Sequence, residues 1–406
     1  MKFFKWFQIL ISNLLWLLLS FFTNIFPRKR EKWLFLSHIE YGFADNAKYL
    51  FLSEFKNPNY KFLWCTKSKD LHDQLNSRGY NSVLKGSLSY YINLVTSRVI
   101  VFDSYLRGAD HYLSIGASKI NLWHGVGIKK TDYDIDVGRR AKYYKKGIYK
   151  RVYQLMAPHL YQHVHTRLFN VPSQYYLSVS EKAFGLDRHQ LIHGLYPRLE
   201  ALIGEYTNEM EIGCNPETLK LLSEEKRRKI FYAPTFRDEI FIDGINTKQS
   251  DIINKICDEI LQPNDVLIYK PHFVDGDFEI PSKSNLVLIN GNEDSYPYLR
   301  LADILVTDYS SIATDFISTG RPVLIFAYDL AHYLRNCRGF YFELSLLSGE
   351  PVAQSFDELN NLLSKTTSLN SPDSKTLEMF HDNIDKLETN SFLRKISFFL
   401  FFKVDI

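Results

Sequence analysis

Four short polar clusters in this 406-residue chain bring histidine, lysine, arginine and hydroxyl side chains directly after runs of β-branched and aromatic residues. In N-L-W-H-G-V-G-I-K-K, His124 and Gly125 end a predicted strand, and Lys129 and Lys130 follow a glycine-containing turn. Glycine lets a backbone approach a ligand closely, and two lysines favour an anionic group. F-Y-A-P-T-F-R-D sets Thr235, Arg237 and Asp238 just beyond a second strand, and V-L-I-Y-K-P-H-F sets Lys270 and His272 beyond a third, with Pro271 stiffening the turn. In L-A-D-I-L-V-T-D-Y-S-S-I-A-T-D-F a strand ends at Thr307 or Asp308, and Ser310 or Ser311 can cap the following helix, which runs through Asp315. A helix opening on hydroxyls offers free N–H groups and a positive dipole end, a natural seat for phosphate.

Singly, each cluster has an ordinary account: helix capping for the serines, a satisfied hydrogen bond for a strand-end histidine. Four clusters at four strand ends would converge on one cleft. The set holds cationic and hydroxyl donors but no D-x-D cluster, which points to an anionic phosphate ligand held by protein donors. An obligatory metal cage is not indicated, although a single bridging Mg²⁺ stays open.

Those clusters need strands to position them. Short β-branched or aromatic runs alternate with helix-length segments, the pattern of parallel α/β layers. Predicted strands are Trp33–Ser37, Lys61–Cys65, Arg98–Phe102 and Lys119–Trp123 in the first half. The second half has Lys229–Ala233, Asp265–Lys270, Asn285–Ile289, Asp303–Thr307 and Pro322–Phe326. The fold class is α/β, with two Rossmann-like domains facing a cleft and ligands at the carboxyl ends of the strands. The expected division is an anchoring helix at 1–30, a first Rossmann-like domain at 31–198, a second at 199–385 and a basic-aromatic helix at 386–406.

Composition excludes several other classes. The length suits two domains at roughly 100–200 residues each. With 30 Phe and 26 Tyr, the chain has too much to bury to be disordered. A net charge of +3 argues against a dedicated nucleic-acid binder. Cys65, Cys214, Cys257 and Cys337 form no C-x-x-C pair, so neither a zinc ribbon nor a disulfide framework is expected.

Between Trp6 and Pro27 there is no charge, and Lys2, Lys5, Arg28, Lys29, Arg30 and Lys32 flank the stretch. About 20 apolar residues can span a bilayer, and no small-residue cleavage site follows. Gln8, Ser12, Asn13, Ser20, Thr23 and Asn24 favour one side of a helical wheel, so an in-plane interfacial helix is the rival to a spanning one. The basic cluster beside the main body places that body on the cytoplasmic face. Arg139–Tyr153 and the Phe-rich C-terminus are further basic-aromatic stretches suited to an anionic membrane surface, with a solvated basic helix and an ordinary docking C-terminal helix as the alternatives.

Taken together, W-H-G-x-G-x-K-K, A-P-T-F-R-D, Y-K-P-H and T-D-Y-S-S-x-x-x-D-F, followed by R-P, A-Y-D-L and R-G-F-Y, resemble the CDP-glycerol glycerophosphotransferase family. G-L-Y-P-R at Gly194–Arg198 is similar to that family's connection between domains, and the motif order is kept from about Trp33 to Tyr341. The turn reads G-V-G where the family pattern has G-T-P. The resemblance implies a GT-B-like fold with the donor nucleotide held mainly by the second domain. It also implies attack of an acceptor hydroxyl on the alditol-bearing phosphorus of a CDP-alditol, with release of CMP and no required cofactor. The acceptor would be a membrane-linked saccharide or polymer in teichoic acid, capsule or lipooligosaccharide synthesis. By the same resemblance His124 and His272 match the essential-type histidines, with His124 the expected base and His272 the donor-phosphate partner, roles that could be exchanged. Arg237, Lys270, Thr307, Asp308, Ser310, Ser311 and Asp315 would serve the donor, and Gly125, Lys129 and Lys130 the acceptor or phosphate side.

A nucleotide-sugar glycosyltransferase or epimerase would share such a cleft but release UDP or rearrange a sugar. A non-catalytic membrane scaffold would also share it, but need not keep His124, Lys270, His272 and Asp308 together.

Overall fold

The computed structural model describes residues 2–37, 42–138, 141, 166–235, 237, 240–242, 245–271, 282–365, 373–382 and 396. His272, Asp238, the stretch Arg139–Tyr153 apart from Ala141, and the tail 386–406 apart from Ile396 lie outside them.

Parallel strands buried on both faces read as continuous apolar runs, and the first sheet is built from such runs. Its strands are β1 (Lys29–Leu36), β2 (Lys61–Thr66), β3 (Ser82–Leu84), β4 (Ser97–Phe102), β5 (Ser118–Asn121), β6 (Leu168–Val171) and β7 (Leu191–His193). They pair in the order β3-β2-β1-β4-β5-β6-β7, and every pairing is parallel. On β1, Trp33 and Phe35 enter one core and Leu34 and Leu36 the other, as the two-residue period of a strand requires.

A second sheet follows. It contains β8 (Arg228–Ala233), β11 (Asp265–Tyr269), β12 (Leu286–Leu288), β13 (Ile304–Thr307) and β14 (Val323–Ile325), with a hairpin of β9 (Ile240–Ile242) and β10 (Ile245–Thr247) inserted after β8. The order is β12-β11-β8-β13-β14, again parallel. Each sheet changes winding direction beside its first strand, between β1 and β4 and between β8 and β13, where a doubly wound fold opens a crevice at the strand ends.

All nine expected strands are present, with ends shifted by a few residues. The sequence reading missed β3, β6, β7 and the hairpin. These are three- or four-residue elements, too short for periodicity to register, and β6 carries a buried Asn170 within L-F-N-V.

The chain returns to its first half at its end. The helix Ser374–Phe380 packs beside the helix Gln174–Phe184, with Ser173 Oγ donating to the Met379 carbonyl at 2.7 Å and His193 Nε2 2.7 Å from Asp382.

The expected N-terminal helix is present as α1 (Lys2–Ser20), followed by a 3₁₀ turn at Phe21–Ile25. No helix among the described residues is long and apolar enough to cross a membrane. The basic cluster after it needs one correction. Arg28 does not face outward: its guanidinium donates to the carbonyls of Leu94, Ser97, Leu113 and Ile115, and burial, with Arg98 nearby, pulls its pKa down to about 10. Lys32 is likewise engaged, donating to Thr96 Oγ1 at 2.7 Å. Cys65, Cys214 and Cys257 are buried and Cys337 is exposed, and none of them is in a disulfide.

Candidate active site

β5 delivers the first cluster. At its end Asn121 accepts from the Trp123 N–H at 2.9 Å and donates to the Ser104 carbonyl, while Asn46 donates to the Trp123 carbonyl at 2.8 Å. These bonds hold Trp123 at φ +57°, a region that costs a bulky residue energy. Contacts with Tyr105, Phe169 and Phe184 around the indole offset that cost. The His124 ring lies on Trp123 at 4.2 Å between centroids, and its Nδ1 is 2.8 Å from the carbonyl oxygen of Asp103. A carbonyl only accepts, so Nδ1 carries a proton and Nε2 is the basic nitrogen of the neutral ring.

Gly125 follows at φ +120°, and a Cβ there would lie 2.5 Å from Arg198 Nη2 and 2.8 Å from Ser311 Oγ. Only glycine satisfies both the dihedral and the space. Ser311 belongs to the second sheet's half, so this contact is where the halves meet. Ser311 Oγ donates to the His124 carbonyl at 3.4 Å, Thr314 Oγ1 to the Val126 carbonyl at 3.5 Å, and Lys129 Nζ to Thr235 Oγ1 at 3.4 Å. Farther along the same loop, the Lys130 N–H donates to the Gly339 carbonyl at 2.9 Å, and Lys130 Nζ pairs with Asp136 at 3.0 Å.

The structure therefore brings together His124, Gly125, Lys129, Thr235, Asp308 and Ser311. The Thr235 N–H donates to the Asp308 carboxylate at 2.9 and 3.0 Å, which ties the ends of β8 and β13 together at the switch point. Ser310 and Ser311 open the helix Ile312–Phe316, but Ser311, at the N-cap, makes no side-chain cap bond. The capping expected of these serines is thus not made by Ser311, whose hydroxyl faces the first domain instead.

Several expected donor contacts have other occupations. Arg237, expected against the donor phosphates, has a buried side chain: it grips Asp329 through Nε at 2.6 Å and Nη2 at 2.9 Å, and its Nη1 reaches Asp308 and the Thr235 carbonyl. Tyr309, Tyr328 and Tyr333 pack around the guanidinium. Burial opposes charge on Arg237, but Asp308 and Asp329 outweigh it and hold the pKa well above the ordinary arginine value. Burial would raise the Asp308 pKa, yet Arg237 and the Thr235 hydrogen bonds leave it lowered on balance. Thr307 Oγ1 donates to the Ala233 carbonyl at 2.6 Å inside the sheet. Lys270 Nζ donates to the Gly291 carbonyl at 2.8 Å.

Asp315 is also internal. Its partner is Arg198, which reaches Asp45 of the first domain at 2.8 Å through Nη1 and Asp315 of the second at 2.5 Å through Nη2. Tyr296 donates to the same carboxylate, and His381 Nε2, on the returning segment, lies 2.8 Å from the Thr314 carbonyl and 3.5 Å from Asp315. A second buried pair, Lys48 and Asp294 at 3.0 Å, crosses between the domains nearby. Sequence reasoning took Arg198 only as part of a connecting motif and passed over Asp45, Asn46, Lys48, Asp294 and His381. No local pattern marks them, because each finds its partner far along the chain.

Two parallel, doubly wound sheets, with a histidine whose Nδ1 is held by a backbone carbonyl where they meet, make an α/β fold similar to that of GT-B-like enzymes. Residues 18–398 match the model of the CDP-glycerol:poly(glycerophosphate) glycerophosphotransferase family, and the chain belongs to that family of enzymes. Among curated relatives, it is 26% identical to the teichoic acid poly(glycerol phosphate) polymerase of Bacillus spizizenii, over 92% of each chain. It is 24% identical to the polymerase of the same name from Bacillus subtilis, where the match covers 91% of this chain and 48% of that relative. Among solved structures, the wall teichoic acid polymerase TagF superposes with a TM-score of 0.67 at 22% identity, over 92% of this chain and 89% of that one.

Proposed function

We propose that this enzyme transfers glycerol phosphate, or a related alditol phosphate, from CDP-glycerol to a hydroxyl of a membrane-linked acceptor in teichoic acid or capsule-type polymer synthesis. The acceptor oxygen bonds to the alditol-bearing phosphorus, the bond from that phosphorus to the bridging oxygen breaks, and CMP leaves with the electron pair. The acceptor proton passes to His124 Nε2. The observation that carries the reading is His124 itself: its Nδ1 sits on the Asp103 carbonyl, and its loop abuts Ser311 at the switch point of the second sheet.

Phosphoryl transfer through a loose transition state depends mainly on positioning and charge stabilisation. In this reading Lys129, Ser310 and Ser311 serve the phosphates, with Lys270 and His272 completing the donor side. Arg237 acts through Asp308, which it holds against Thr235. No resident cofactor or metal cage is part of the mechanism.

The enzyme works at the cytoplasmic face of the membrane, with α1 lying in the interface. Support comes from the outward apolar side of α1, where Leu14, Leu15 and Leu18 are exposed while Asn13 and Ser20 are buried.

The test is parallel incubation with CDP-glycerol and CDP-ribitol and candidate acceptors, following CMP and product mass. CMP release with a mass gain of one alditol phosphate per transfer is expected. Sugar transfer with UDP release, or no turnover of either donor, overturns the reading.

A further inference from the structure

The polarity of the N-terminal segment is inverted relative to an ordinary surface helix. Asn13, Ser20 and Thr23 are 7%, 5% and 2% exposed, whereas Leu14, Leu15, Leu18, Phe21, Phe22 and Ile25 are 53% to 71% exposed. The apolar surface continues beyond this segment. Trp16 stacks on Tyr91 with centroids 6.0 Å apart, which seats α1 beside the helix Leu88–Thr96. On that helix Leu88 and Ile92, one turn apart, are 76% and 48% exposed. At the other end, the Arg28 bonds to the Leu113 and Ile115 carbonyls bring in a third segment, whose Ile115 side chain is also exposed. Soluble monomers rarely show contiguous apolar patches larger than roughly a few hundred Å².

We propose that α1, the helix Leu88–Thr96 and the Ile115 turn form one face that seats in the plane of an anionic lipid bilayer, with Leu88 and Ile92 entering the acyl boundary beside α1. This rests on the membrane-surface reading above and extends it to residues far from the N-terminus.

Charge selects the occupant. Residues 2–26 and 88–96 contain no acidic residue, and Asp110, beside the third segment, is buried against Lys85 and Tyr90. Lys29 and Arg30 are exposed where the chain leaves the apolar turn, and Arg107 is exposed ahead of the third segment, with Glu31 the single carboxylate in 27–32. Such a rim complements anionic headgroups. A second copy seated by two-fold symmetry would set like charges against each other. Ile396, the described residue of the C-terminal tail, is buried in the core that holds Trp33 and Phe35, whereas Trp16 packs on the core that holds Leu34 and Leu36. That part of the tail therefore lies on the opposite side of the sheet.

The full chain is floated with phosphatidylcholine vesicles with and without phosphatidylglycerol, beside the variant Leu88→Ser/Ile92→Ser. Wild type binds the anionic vesicles far better, and the variant loses about tenfold or more in vesicle affinity while keeping turnover on a soluble acceptor. Wild type that floats with neither vesicle overturns the membrane reading and this face with it. Wild type and variant that float equally overturn the composite face and leave the membrane reading standing. Equal binding to neutral vesicles overturns the anionic choice, and vesicle-free dimerisation lost in the variant assigns the face to a second copy and overturns the proposal.

Discussion

His124 Nδ1 lies 2.8 Å from the carbonyl oxygen of Asp103, and this contact sets the direction in which the imidazole can take a proton. The backbone carbonyl holds Nδ1 as a donor, so Nε2 is the nitrogen that acts as the base. His124→Ala should lower CMP release by at least about 10²-fold, the low end for a positioned general base. CDP-glycerol binding, measured by calorimetry, should stay near the wild-type value. Near-normal turnover would remove His124 from the role of base.

Gly125→Ala tests the junction without touching a polar group. The added methyl meets the Arg198 guanidinium and the Ser311 hydroxyl at a dihedral that disfavours side chains. Turnover is expected to fall more than tenfold, with a lower melting temperature. If rates and melting stay at wild-type values, the two halves are not packed as tightly there as the structure has them.

Arg198→Met leaves Asp45 and Asp315 buried without their shared cation. Breaking a buried pair on one side costs about 3–5 kcal/mol, read as a lower urea midpoint. Adding Asp315→Asn to that variant should recover part of the loss, because one uncompensated charge is then gone. A midpoint unchanged in Arg198→Met would show that the pair contributes little.

Acid should destabilise the fold through Asp308 and Asp315. Burial opposes ionisation of both, but Arg237 for Asp308 and Arg198 for Asp315 more than offset it, and both pKa values end up lowered. A carboxylate with a lowered folded pKa contributes its full stabilisation above its unfolded value, about 3.9. That contribution disappears as pH falls through the folded pKa. Thermal melts across the acid range should show the loss below about pH 4, and Asp315→Asn should flatten that limb. An acid limb as steep in Asp315→Asn as in wild type would contradict the assignment for Asp315.

Arg237→Lys separates two roles for that residue. Lysine keeps the charge but not the fork that grips Asp329 while reaching Asp308. Because the guanidinium is committed to carboxylates, kcat is expected to fall more than tenfold while the KM for CDP-glycerol changes little. A large rise in KM with kcat intact would return Arg237 to direct phosphate contact.

Much of this architecture was legible in the residues. Runs such as W-L-F-L and I-F-Y-A read as strands because parallel sheets bury both faces, so apolar residues follow one another without alternation. The polar clusters stood out because ligands sit where such strands end, and His124, Asp308 and Ser311 do meet there. The charged residues were read less well. Arg237 and Asp315 have the residue types of a phosphate site and the surroundings of a buried ion-pair network, and composition cannot separate those uses.

Local pattern was enough for strand positions, the order of the motifs and the apolar character of the first helix, because each depends on neighbours within a few residues. Tertiary structure alone decided which side of α1 faces outward, that Leu88 and Ile92 extend it, and that Arg198 joins Asp45 to Asp315. Those outcomes depend on burial and on charge pairing across more than a hundred residues of chain, which exist only once the two sheets are packed.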